Sequence, residues 1–317
     1  MKKADHLQTK CDLRPWERFL VSGSVLDTPE ARNGNWDPEV LKEVSGVDRI
    51  GSLAVRHTAY IEALDEFAQE ASPDVLRPNS WGIAFGHRLK EALEHRCTLW
   101  LSVVSADSLD TLEDFIGSEL IRIAGPMRAD QKIPIALNPV ALVTAWSENP
   151  EKAHYLRHVL RNADTLRASH RAITALRRAQ VRIRERSRLA RLIIDPRFVA
   201  YFVVFVYSSL RALPVVLVPG FHGRVWVLWL IDIITAIPYT WGLLALVAGR
   251  TFFTRFAGLI VTIVTFVSPY VYFWMHGKNY PPGVTAFVVA MILGAIALEG
   301  IRWLRDRLVA RGLREGR

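Results

Sequence analysis

Four long apolar runs fill the last third of the chain, at 198–218, 225–248, 256–275 and 284–304, each bounded by short polar connections. At ~1.5 Å of rise per residue each run covers a hydrocarbon core of ~30 Å, so the pattern predicts an all-α bundle of four transmembrane helices.

Upstream the pattern changes. The chain is irregular to Gly34, broken by Pro15, Gly23, Pro29 and Gly34. Asp37-Pro38 then reads as a cap and a first-turn proline, opening a short helix to about Val47. From 52 to 71, Leu53, Tyr60, Ile61, Leu64, Phe67 and Ala71 recur at helical spacing, with Glu62, Asp65, Glu66 and Glu70 on the wet face. A second helix is expected over 86–96, then a buried strand over 97–104. Asp107-Ser108 caps a helix with Leu109, Leu112, Phe115, Ile116, Leu120 and Ile123 on one face, stopped by Gly125-Pro126. Runs 133–137 and 141–146, separated by Asn138-Pro139, read as strands. Residues 1–150 are thus expected to form an α+β (or small α/β) cytosolic domain.

Between Pro150 and Pro196 lie 45 residues without Gly or Pro. They predict a long linking helix, or two in succession, over 151–197, at most ~68 Å in length, ahead of the first span. Its apolar seam (Val159, Leu166, Ile173, Leu176, Ile183, Ala190) is interrupted by Gln180 and Ser187, which argues against a strong coiled coil.

Charge refines the picture. Residues 1–150 carry 16 Lys and Arg against 23 Asp and Glu, a net of −7; residues 151–317 carry 24 against 8, a net of +16. The excess flanks the apolar runs: before the first, at Arg250 and Arg255 in the second connection, and along a basic tail, 305–317. This positive-inside bias predicts a multi-pass protein of the cytoplasmic (inner) membrane with both termini cytoplasmic. Arg182, Arg184, Arg186, Arg188 and Arg191 are expected to contact anionic lipid. Because the cations track the spans, a nucleic-acid partner is disfavoured. Met1-Lys2-Lys3 is followed by polar residues, so no secretory signal is expected. Two cysteines, Cys11 and Cys97, fit a reducing compartment, with Cys97 as a core residue.

The chain carries no phosphate-binding glycine loop, nucleophile elbow, zinc-protease helix or cysteine-rich metal spacing. His87 and His95 sit among cations, and the His154/His158 pair has no evident third ligand, so neither a metal nor a cofactor is expected. Chemistry concentrates instead at membrane depth. Arg211 and Asp232 fall at matching depths of a predicted hairpin, ~10 Å from its outer boundary, and are expected to pair. Thr262, Thr265 and Ser268 form a hydroxyl stripe suited to helix packing or to lining a pore. Glu299 is expected to pair locally with Arg302 or Arg305.

These features lean against an enzyme. They point to a homo-oligomeric membrane protein whose cytosolic domain senses a ligand or partner and biases a four-helix module. That module would be a gated pore or membrane-disrupting effector, a layout shared with stress and defence effectors. The alternatives are a membrane-tethered enzyme drawing on His57, Glu62, His87 or Asp107, and a scaffold recruiting a partner to the bilayer.

Overall fold

The computed structural model describes residues 14–61, 64, 80–161, 163–164, 167–184, 192–193, 195–211, 223–249, 251–276 and 282–315. The chain forms two compact units, Met1–Arg186 with Arg302–Arg317, and Ser187–Ile301.

In the first unit, α1 (Pro15–Val21), α2 (Pro29–Asn33) and α3 (Pro38–Ser45) each begin with proline, whose missing N–H costs nothing in a first turn. The Asp37 side chain caps α3, and Gly46, at φ 66°, closes it in the left-handed conformation. The chain continues through β1 (Thr58–Tyr60), α4 (Ser80–Glu94), β2 (Leu99–Ser105), α5 (Ala106–Ile116), β3 (Ile121–Ile123) and β4 (Lys132–Leu137). Then follow α6 (Pro139–Trp146), α7 (Pro150–Val159), β5 (Ala163–Asp164), α8 (His170–Arg178) and β6 (Ile183–Arg184). The main sheet has the order β1-β2-β4-β3; β1 and β2 are parallel, and β4 runs antiparallel to both β2 and β3. The unit is therefore α+β.

Strand β2 is apolar on both sides because both faces of the sheet are covered. Trp100 and Val104, with Ile135 and Leu137 of β4, face a core built with α4, α5, α6, α7 and α8. Leu99, Leu101 and Ala136 face a second core, made by Val25, Leu26, Trp36, Leu41, Ile50 and Leu53. Leu308, Val309 and Leu313, from the far end of the chain, complete that second core.

The second unit holds α9 (Pro196–Arg211), α10 (Val225–Ala248), α11 (Phe252–Met275) and most of α12 (Pro282–Arg314). Helices α10 and α11, at 24 residues each, and α12, at 33, are long and apolar enough to cross a membrane. The expected first span overlaps α9, but 212–222 lie outside the described residues. Helix α12 is shared: it belongs to the second unit through Ile301 and to the first from Arg302 onward.

Several expectations are corrected. The linking segment over 151–197 is not one rod: its described residues form two helices in succession, α7 and α8, with β5 between them. Helix α7 ends at Leu160, α8 starts afresh at the Ser169 cap, and β5 pairs in parallel with β6. The reason is burial. Leu156, Leu160, Ala163, Ile173, Leu176 and Val181 all enter the first core, which a straight rod could not deliver to one small domain. Run 141–146 is helical rather than a strand, because Asn138 caps Pro139 by accepting from the N–H groups of Val140 and Ala141. Helix α5 stops at Gly117, at φ 114°, so Ile121 and Ile123 fall on a strand. The first part of the 52–71 helix is instead 3₁₀ turns and β1; 62–63 and 65–71 lie outside the described residues. The basic tail from 305 is no tail, since it forms the last turns of α12.

Candidate functional site

The polar residues of the apolar helices gather in two places within the second unit. The first is the seam between α10 and α11. A Cβ on Gly242 would lie 2.9 Å from the Gly258 carbonyl oxygen, and one on Gly258 would lie 2.7 Å from that of Gly242. Two backbones this close require two glycines, the small-residue packing that membrane helices use in place of a hydrophobic driving force. Thr262 is fully buried at this seam, and its hydroxyl donates to the Gly258 carbonyl at 2.7 Å. Thr265 and Ser268 are half-buried, and their hydroxyls donate to the carbonyls of Val261 and Val264. All three hydroxyls of the predicted stripe bond back to their own helix, and Thr262 is the one buried against α10 at Gly242.

The second place is a buried ion pair. Arg255, in the first turn of α11, sends one guanidinium nitrogen to Glu299 Oε1 of α12 at 2.9 Å and another to the Gly249 carbonyl at 3.0 Å. The pair caps the carbonyl end of α10 with a cation and ties three helices together at one level. Glu299 thus takes a partner from another helix, one that its neighbours in sequence did not point to. Arg255, read from sequence as a topology signal, is only 8% exposed at its side chain. The available signal was its place immediately before the third apolar run.

Asp232 is buried on α10. Arg211 ends α9, and its side chain lies outside the described residues, so the expected Arg211–Asp232 pair does too. Of the expected lipid-contacting arginines, Arg182 and Arg184 are exposed beside and on β6, whereas Arg186, Arg188 and Arg191 lie outside the described residues.

The first unit holds other chemistry-bearing groups. Lys152 reaches the end of α5, donating to the Phe115 carbonyl at 2.5 Å and sitting over the Phe115 and Trp146 rings. Burial holds its ammonium below the usual lysine range. The Tyr155 hydroxyl donates to the Gly82 carbonyl, and burial pushes its pKa up. Both fasten an aromatic core of Trp81, Phe85, Trp100, Phe115, Trp146 and Tyr155 rather than opening to substrate. His57 is held below the usual imidazole value by burial, then by Arg56 and Arg96. His87, Asp107, His154 and His158 are exposed. Among the described residues no three His, Cys, Asp or Glu side chains come together in a metal-binding group.

The C-terminal turns of α12 dock by named bonds inside the first unit. The Trp36 N–H donates to the Leu313 carbonyl at 2.9 Å, the Gly51 N–H to Asp306 Oδ1 at 3.0 Å, and Arg305 to the Ser22 carbonyl at 3.2 Å. The four-residue spacing of Leu304 with Leu308 and of Val309 with Leu313 was the sequence signal for this docking, obscured by the arginines between them. Comparison with protein-family models, with curated proteins and with solved structures finds no match to this chain.

Proposed function

We propose that this is a multi-pass protein of the cytoplasmic membrane in which the α+β unit lies in the cytosol and controls a homo-oligomeric, gated membrane module. The observation that carries this reading is the shared helix α12. Its apolar part is long enough to cross a bilayer, and its last turns bury Leu308, Val309 and Leu313 in the α+β core. One continuous helix offers a mechanical route by which a ligand or partner on the α+β unit shifts the membrane helices, because a helix moves as a rigid element.

Two observations favour a homo-oligomer. The apolar stretch of α12 is almost wholly exposed within one protomer. Gly294, in the middle of it, has no atom within 4 Å of where its Cβ would stand. With Thr262 committed to packing, Thr265 and Ser268 are the stripe hydroxyls nearest to solvent that an oligomeric path would use.

The test is ion flux across liposomes carrying the full chain, compared with Val309→Asp and Leu313→Asp. Each places a charge in the second core and undocks the end of α12. A several-fold change in flux relative to wild type is expected. Background leakage from the wild type and both inserted variants would overturn the pore reading.

A further inference from the structure

A groove of about 540 Å³ opens in the first unit between α1 and the last turns of α12. Its apolar walls are Trp16, Leu304 and Leu308, and its basic wall is Arg307, Arg311 and Arg314. The three arginines follow at spacings of four and three residues, so they share one helical face. Helix α1 adds a second basic and aromatic surface beside them: Arg14 and Arg18 are exposed, Trp16 is 48% exposed and Phe19 81%. Exposed Trp and Phe next to arginines make up the composition of a surface that lies at a bilayer boundary.

The acidic groups of the groove are already engaged. Glu17 accepts from the Arg14 N–H at 2.8 Å, and Glu315 pairs with Arg311 at 3.5 Å. The Arg307 guanidinium lies over the Trp303 ring at 4.2 Å, and this stacking leaves its edge N–H donors free to bond an anion. Position along α12 selects the partner. The apolar run ends at Leu304, itself a wall of the groove. Arg307, Arg311 and Arg314 follow by ~4.5, ~10 and ~15 Å of helix, and because helical side chains lean toward the N-terminus the long outer arginines reach back toward a headgroup layer of ~5–7 Å.

We propose that this groove binds an anionic phospholipid of the bilayer that α12 enters, with Arg307 and Arg314 donating to the phosphate and Trp16 and Phe19 entering the acyl boundary. The site stands apart from the flux reading, since lipid retention is measured whether or not a pore exists.

The experiment uses the full chain in detergent micelles, titrated with phosphatidylglycerol or phosphatidylcholine, with retained lipid counted by native mass spectrometry. Wild type is expected to retain phosphatidylglycerol at least tenfold over phosphatidylcholine. Arg307→Gln and Arg314→Gln each lower that preference about five-fold, the effect of one arginine at an anionic surface. Trp16→Ala lowers retention of both lipids without changing their ratio. Arg182→Gln, exposed beside β6, serves as the control and leaves retention unchanged. Equal retention of the two lipids by wild type overturns the proposal. So does wild-type preference in the Arg307→Gln/Arg314→Gln double variant, or displacement of the lipid by glycerol phosphate at equal concentration. Tighter capture of a poly-glutamate peptide than of phosphatidylglycerol by the same arginines would assign the groove to an acidic protein partner instead.

Discussion

The Gly51 N–H donates to Asp306 Oδ1 at 3.0 Å across 255 residues of chain. The contact is closer than the bond alone requires: a Cβ on Gly51 would stand 2.9 Å from both the Cα and the N of Asp306. Only glycine lets this 3₁₀ turn lie against the backbone of α12.

Gly51→Ala should therefore cost about 1–3 kcal/mol by overpacking against a backbone that cannot rotate away. Asp306→Asn keeps an acceptor of the same size and should cost less, about 1 kcal/mol. Urea unfolding of the full chain in detergent ranks the two. Limited trypsin digestion should cut faster after Arg305 and Arg307 in Gly51→Ala. An alanine variant as stable and as resistant as wild type would contradict the close approach.

The Arg255–Glu299 pair makes a different prediction. Arg255→Met or Glu299→Leu alone leaves a largely buried partner unmatched, at about 3 kcal/mol. The double variant, Arg255→Met with Glu299→Leu, should recover most of that loss, because both desolvation costs vanish together. A double-mutant cycle on thermal melting in detergent measures the coupling. Strictly additive losses would show that the two side chains act independently.

At the α10–α11 seam, Gly242→Ala and Gly258→Ala should each lower the melting temperature, at about 1–3 kcal/mol, since each Cβ meets backbone atoms within 3 Å. Gly294→Ala is the contrast. It meets nothing in the protomer, so it should leave the monomer's stability unchanged or gain up to ~1 kcal/mol in helix propensity. A loss of oligomer on size exclusion for Gly294→Ala alone would mark α12 as the subunit contact.

Cys97 supplies the pH test. Burial, then the charge of Glu91, pushes its thiol up to about 11 from 9.0. The folded protein therefore holds this proton more tightly than the unfolded chain does. Its contribution to stability is complete below pH 9 and is lost as pH rises toward 11. In a Cys11→Ser background, alkylation at pH 7.5 should be about a hundredfold slower than for a free cysteine, from the thiolate fraction alone. A mass-shift time course reads this directly, and rapid labelling would contradict the buried thiol.

Much of this protein was legible in the order of its residues, wherever the physical cause is local. The apolar runs 225–248 and 256–275 became helices because length and hydrophobicity alone decide that backbone groups bond internally in hydrocarbon. The Asp37-Pro38 step opens a helix because a cap and a first-turn proline act within one turn. Strand β4 was readable from its run of apolar residues between polar ends.

Local causes failed where one segment had two readings and only a distant partner could choose. Residues 151–184 have the composition of a helix, yet their described part folds back as α7, β5, α8 and β6 because its leucines and alanines fit the first core. Glu299 had arginines close by in sequence, and nothing local pointed to Arg255, on another helix, as a partner. The last turns of α12 carry the charge density of a solvated tail, but Leu308, Val309 and Leu313 fill the open face of a sheet formed near the start of the chain. By itself the sequence determined which segments are apolar enough to enter a membrane and that a helix begins at Pro38, since both follow from short-range chemistry. Tertiary structure alone decided which buried charge meets which, and that the two ends of the chain share one core, because those choices depend on surfaces that exist only after folding.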